Sequence, residues 1–346
     1  MIQRLTRFCV RGVERWLPDP FVLVLLLTLV VFVAGIGIER QRPLAMLEHW
    51  GNGFWQLLGF SMQMVLILVT GWVLATTVFV RRILEAAARL ARTPGQAIVA
   101  VTLVSLVAAW VNWGFGLVIG AMFARELARG VQGVDYRLLI AGAYSGFVVW
   151  HGGLSGSVPL TIATDGHFMA AQMGVIGTGA TIFSGYNLAI LATLFVLLPL
   201  VNRLMMPRPD EAVAIDPALL ARAPEDEPIV APTPAQRLER SVSLSLAVGV
   251  MGLAFVAYHF AVKRGGINLD IVNFAFLMLG IVLHGRPSRF LAAVNDAARG
   301  AAGIIVQFPF YAGIMGMMLG SGLAASLSAW FVSISDARTL PLFTFL

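Results

Sequence analysis

An all-α, polytopic transmembrane fold is what this sequence predicts, and three observations predict it. Of its 346 residues 58% are hydrophobic and 12% are charged, and the mean hydropathy is +0.84, where a soluble domain carries roughly twice that share of charge. Several apolar runs approach or exceed the roughly 20 residues needed to cross hydrocarbon. The arginines lie between those runs instead of on one polar face, so the net charge of +6 marks topology and no nucleic-acid partner is expected. Cys9 is the single cysteine, which excludes an intramolecular disulfide and a Cys-based metal centre.

Taken in order, Ile2, Leu5, Cys9, Val13 and Trp16 recur at helical spacing with Arg4, Arg7, Arg11 and Arg15 on other faces. That pattern predicts a helix in the headgroup plane, ended by Pro18 and Pro20. The run 21–38 is longer than a secretory signal core and lacks a small-residue cleavage site, so it stays as a first span. Further runs fall at 57–80, 97–124, 138–164, 180–201, 241–262, 269–284 and 301–320, with another beginning at Leu340.

The run 97–124 is flanked by Arg81, Arg82, Arg89 and Arg92 on one side and Arg125, Arg129 and Arg137 on the other. The positive-inside rule keeps both flanks cytoplasmic, so the run is expected to enter the membrane and return, turning at Asn112-Trp113-Gly114-Phe115-Gly116. With that re-entrant hairpin and a cytoplasmic N-terminus, the inner segments hold 19 of the 24 Lys and Arg. A single long tilted helix is the alternative, and it destroys the bias in everything that follows.

An inverted repeat is expected from Asp19-Pro20-Phe21 and Leu269-Asp270-Ile271, which begin spans of opposite direction, each followed by a span with a glutamine, Gln63 and Gln307. The organisation is then a first repeat over 1–201, a Pro-rich cytoplasmic linker over 202–240, and an extra span with an incomplete second repeat over 241–346. The same offset places a second hairpin past residue 346, and 340–346 is apolar without a polar flank, so the chain is expected to stop inside a membrane segment.

Chemistry is sought where backbone is interrupted at membrane depth. His151 lies in Trp150-His151-Gly152-Gly153-Leu154-Ser155-Gly156-Ser157-Val158-Pro159, where glycines and a proline should break the span 138–164. Unpaired amides at the new helix start, aided by the hydroxyls of Ser155 and Ser157 and by Gly153 and Gly156, can hold a carboxylate without a buried arginine. A kink used for close packing is the bland alternative. At the hairpin tip Asn112 can donate and accept, Gly114 and Gly116 permit close approach, and Trp113 can wall an apolar pocket. Gln63, Gln307 and Asn187 read as packing glue, Met315, Met317 and Met318 as packing, and His259 and His284 as span-end residues. No catalytic residue, metal site or cofactor is expected.

At these residues the sequence resembles the short-chain fatty acid transporters associated with acetoacetate degradation. The resemblance is carried by Arg15-Trp16-Leu17-Pro18-Asp19-Pro20, by Asn112-Trp113-Gly114-Phe115-Gly116 with its continuation to Glu126, by Gly152-Gly153-Leu154-Ser155-Gly156-Ser157, and by Val306-Gln307-Phe308-Pro309-Phe310. It implies two inverted repeats of the ion-transporter superfamily and uptake of small carboxylates such as acetoacetate or butyrate across a bacterial inner membrane, coupled to Na+ or H+. The bilayer and the acid are the implied partners, and a homodimer is a compatible assembly. Two rivals are weighed. A dicarboxylate carrier would want more cationic groups than this site offers. Gly153-Leu154-Ser155-Gly156 also fits the short Gly-x-Ser-Gly pattern of rhomboid-type proteases, but no deep span downstream supplies a histidine base.

Overall fold

The computed structural model describes residues 15–216, 220, 233–336 and 338–339. The expected interfacial helix, with Ile2, Leu5, Cys9 and Val13, and the run 340–346 lie outside the described residues. Short polar residues and prolines decide where the helices begin. Asp19 accepts from the Phe21 amide at 2.8 Å and Pro20 opens α1 (Pro20–Gly37). Such side chains satisfy the amides that a helix start leaves unpaired. After α2 (Pro43–Gly53) and α3 (Leu58–Ala75), Thr77 caps α4 (Val78–Ala88), and Thr93 with Pro94 starts α5 (Pro94–Val111). Asn112 caps α6 (Trp113–Gly130) and Asp135 caps α7 (Tyr136–Ser145).

A 3-10 turn at Gly146–Gly152 continues α7, and α8 (Ser157–Ile162) follows. After the short α9 (Ala170–Met173) come α10 (Gly185–Leu204), α11 (Pro234–Glu239), α12 (Val242–Ala261), α13 (Leu269–His284), α14 (Pro287–Ser321) and α15 (Leu323–Ser333). Among the described residues, 7 helical segments are long and apolar enough to cross a membrane: α1, α3, α5, Tyr136–Ile162, α10, α12 and α14.

The chain forms two compact units, 66–301 and the remainder. In the larger one, α5 and α6 run antiparallel as a hairpin. A Cβ on Gly116 would stand 2.5 Å from Ala109 Cα, and one on Gly120 would stand 2.7 Å from Ser105 Oγ. Ile98, Val101, Phe123, Ala124, Leu127 and Leu139 fill the core between α5, α6 and α7. Asn202, buried at the end of α10, donates to Thr102 Oγ1 at 3.0 Å and Ser145 Oγ at 2.8 Å, tying three helices through a satisfied polar group. His284 donates to the Val73 carbonyl at 2.8 Å, and His259 to that of Gly266 at 3.0 Å, so both histidines fasten backbone.

In the smaller unit, Val24, Val31, Met46, Ile314, Met317 and Leu323 make the core. Gly53 of α2 meets Gly316 of α14 so closely that a Cβ on Gly53 would lie 2.8 Å from Gly316 Cα. Phe310 packs edge-on against Phe21 and Phe54 beside that crossing. Met317 is fully buried in this core, in the packing role expected of it.

Three segments differ from the sequence expectation. α14 is continuous from Pro287, because Ala292, Ala293, Ala297 and Ala298 carry the helix through a stretch too polar to register as a span. An apolar helix, α15, lies between the expected run 301–320 and the one beginning at Leu340, where no span is expected. Within the linker, α11 forms on a capping box between Thr233 and Gln236.

Candidate functional site

Two interruptions of helical backbone mark the candidate site. The first is Asn112, whose extended conformation (φ −157°, ψ 125°) separates the limbs of the hairpin. Its Oδ1 accepts from the Phe115 amide at 2.9 Å and caps α6. The second is Gly153 to Gly156, where Gly153 is extended (φ −113°, ψ −177°) between the 3-10 turn and α8. α6 starts at one break and α8 at the other.

The breaks are joined to each other. The Trp113 amide donates to Ser155 Oγ at 2.8 Å, and the Leu154 amide donates to the Trp110 carbonyl at 2.7 Å. Asn112 and Ser155 are both fully buried. Gly153 has no room for a side chain, since a Cβ would meet the Trp110 carbonyl oxygen and stand 2.8 Å from its Cα. Gly114 is held as tightly, 2.7 Å from Leu68 Cα by the same measure.

This leaves two donors unused. Asn112 Nδ2 and Trp113 Nε1 are buried and have no hydrogen-bond partner among the described residues. Buried N–H groups of this kind are rare because each forfeits its hydration without replacement. They sit on the N-cap and the first residue of an 18-residue helix, where the aligned peptide dipoles add positive potential. The Trp113 ring meets Phe147 and Trp150 edge-on at 6.1 and 5.9 Å between centroids. Phe147 and Trp150 are themselves stacked at 5.2 Å. Two unpartnered N–H groups are therefore buried near an apolar aromatic wall.

Of the residues singled out from sequence, Asn112, Trp113, Gly114, Gly153 and Ser155 come together here, with Gly156 and Ser157 buried beside them. Gly116 is drawn into the hairpin interface against Ala109. His151 is exposed, its ring against Trp150 at 3.8 Å between centroids. Two residues were missed or undervalued. Gly71 of α3 lets that helix touch the tip, since a Cβ there would lie 2.6 Å from Asn112 Oδ1. Asn187 of α10 holds the second break by donating to the Gly152 and Ile182 carbonyls at 3.1 and 2.7 Å. The sole local signal for Gly71 was a glycine inside an apolar run.

Two clefts lie at the other end of the hairpin, away from the tip. One of about 180 Å³ is lined by Pro94, Ile98, Asp135 and Leu138, and a more open one of about 540 Å³ by Arg89, Arg92, Glu126 and Arg129. Asp135 borders the first. Burial raises its carboxyl pKa, but the Arg137 guanidinium and the Val213 and Leu138 amides outweigh this and hold it below the ordinary carboxylate range. A depressed folded-state value adds stability above the unfolded pKa and loses it as pH falls through the folded one. The contact from Asp135 to the Val213 amide, 2.9 Å, should therefore hold at neutral and mildly acidic pH and fail in strong acid. Asp135→Ala should cost ~1–2 kcal/mol and quicken protease cleavage within 205–216. Unchanged cleavage would show that the carboxylate does not anchor this segment.

The sequence profile of a family described as short chain fatty acid transporter matches residues 1–346. A protein of Escherichia coli (strain K12) is 46% identical over 352 residues, covering 100% of this chain and 79% of its own length. One of Haemophilus influenzae is 44% identical over 356 residues, with 100% and 79% covered. Both are named provisionally as short-chain fatty acid transporters. No solved structure matches the chain.

Proposed function

We propose, because the chain belongs to the short-chain fatty acid transporter family, that it carries acetoacetate- or butyrate-like monocarboxylates through a membrane with the acid held where its two helix breaks meet. The family is one of transporters and not of enzymes, so Ser155 is read as a structural and binding hydroxyl and not as a protease nucleophile. The observation that carries the reading is the pair of buried, unpartnered donors Asn112 Nδ2 and Trp113 Nε1 at the start of α6. Hydrogen bonds to a charged group contribute ~1.5–3 kcal/mol each. Each buried CH2 of the tail adds about 0.8 kcal/mol against the aromatic wall. A second carboxylate would find no cation there among the described residues and would be desolvated without return.

The membrane reading extends this. The apolar part of α6 before Arg125 covers 113–124, about 18 Å of helix, which suits a hairpin entering from the cytoplasmic face and returning to it. On that topology the N-terminus is cytoplasmic and the protein resides in a bacterial inner membrane as a multi-pass carrier, compatible with a homodimer. An inverted repeat would supply the partner half of the site, and hairpin and broken helix would rock together against the other spans, driven by a Na+ or H+ gradient.

The test is uptake of labelled acetoacetate into proteoliposomes holding the full chain. Saturable uptake is expected, with butyrate competing roughly tenfold better than acetate and succinate hardly at all. Succinate competing as well as butyrate would favour the dicarboxylate reading, and flux that never saturates would contradict a carrier.

A further inference from the structure

The open cleft at the base of the hairpin serves no part of the transport site, and its chemistry points elsewhere. It holds about 540 Å³ and is lined by Glu85, Arg89, Arg92, Glu126 and Arg129. The two carboxylates are already engaged, Glu126 with Arg129 and Glu85 with Arg81. Arg129 also donates to the Leu220 carbonyl, at 2.9 Å from Nε. Arg89 and Arg92 are exposed, and no acceptor for either guanidinium is found among the described residues. The cleft thus holds two exposed arginines without an acceptor among the described residues, Arg89 and Arg92.

A second feature identifies what brings the anion. On α4 and its extension Phe79, Ile83 and Leu90 are 58%, 51% and 80% exposed. At spacings of four and seven they form one helical face, and Arg82 and Arg89 flank it on one side. An apolar face edged by arginine is the pattern of a helix lying at a bilayer surface, its apolar side among acyl chains and its cations among headgroups. A soluble phosphate would have no use for that face.

We infer that this cleft binds the headgroup phosphate of an anionic phospholipid through Arg89 and Arg92, with the acyl chains lying along Phe79, Ile83 and Leu90. The bound lipid would hold α4 and the segment after it at the foot of the hairpin, which gives the site a stabilising role distinct from substrate binding. Basic pockets between membrane helices on the cytoplasmic side recognise anionic headgroups in this way.

The experiment is thermal unfolding of the purified full chain in neutral detergent, titrated separately with phosphatidylglycerol, phosphatidylcholine and inorganic phosphate. A ligand that binds only the folded state raises the melting temperature. Phosphatidylglycerol is expected to do so, and the other two are not. Arg89→Gln and Arg92→Gln, both exposed and so free of folding cost, should each weaken the effect by about fivefold, and Ile83→Gln should weaken it further. Equal shifts from phosphatidylcholine would mean unspecific lipid binding, and a shift from inorganic phosphate alone would mean a soluble-anion site. Either result overturns the proposal, as does a phosphatidylglycerol shift retained in the Arg89→Gln/Arg92→Gln chain. None of these outcomes depends on whether the chain transports an acid.

Discussion

Gly153→Ala is expected to abolish uptake and to lower stability by roughly 3–5 kcal/mol, a large part of what holds a domain folded. The added methyl would collide with the Trp110 carbonyl oxygen and stand 2.8 Å from Trp110 Cα and 2.9 Å from its carbonyl carbon. All three atoms are backbone, so no rotamer change relieves the clash. The break must move off the hairpin tip. That movement strains the Leu154 to Trp110 bond of 2.7 Å and the Trp113 to Ser155 bond of 2.8 Å, worth about 1 kcal/mol each. Gly177→Ala is the control, because a Cβ there meets nothing within 4 Å. Thermal unfolding in detergent should separate the two by many degrees, whereas equal stability would show that the breaks do not abut.

Asn112→Ser separates binding from folding. Serine caps helices about as well as asparagine, so the Phe115 amide keeps an acceptor and the stability cost should stay near ~1 kcal/mol. What disappears is the Nδ2 donor, which has no other partner among the described residues. Loss of one hydrogen bond to a carboxylate should raise the KM for acetoacetate by about 10- to 100-fold. If the amide merely supported the fold, uptake would fall only as far as the amount of folded protein falls.

Helix ends and interruptions were largely legible because their causes are local. Asp19-Pro20 announces the start of a span, and Asn112 with the glycines after it a turn, by chemistry confined to one turn. The glycines at 152, 153 and 156 announce a stop in the same way. The joining of the breaks was not legible. Trp113 and Ser155 lie 42 residues apart, and nothing in either local pattern specifies the partner. The place of Gly71 was hidden for the same reason, since a glycine in an apolar run reveals what it meets only once the helices are packed. His151 drew attention as an ionisable residue in an apolar run, yet a 3-10 turn leaves it exposed while Gly146 and Val149 of the same turn are buried. The long α14 was underestimated because hydropathy reports membrane-soluble length and not helical length.

Calorimetric binding of butyrate to the intact chain and to Asn112→Ser, at matched folded concentration in detergent, tests the central claim most directly. If a short acid is held by the buried, unpartnered donors at the junction of the two breaks, the substituted chain should bind it at least tenfold more weakly. Equal affinity in the two folded proteins would place the acid somewhere else.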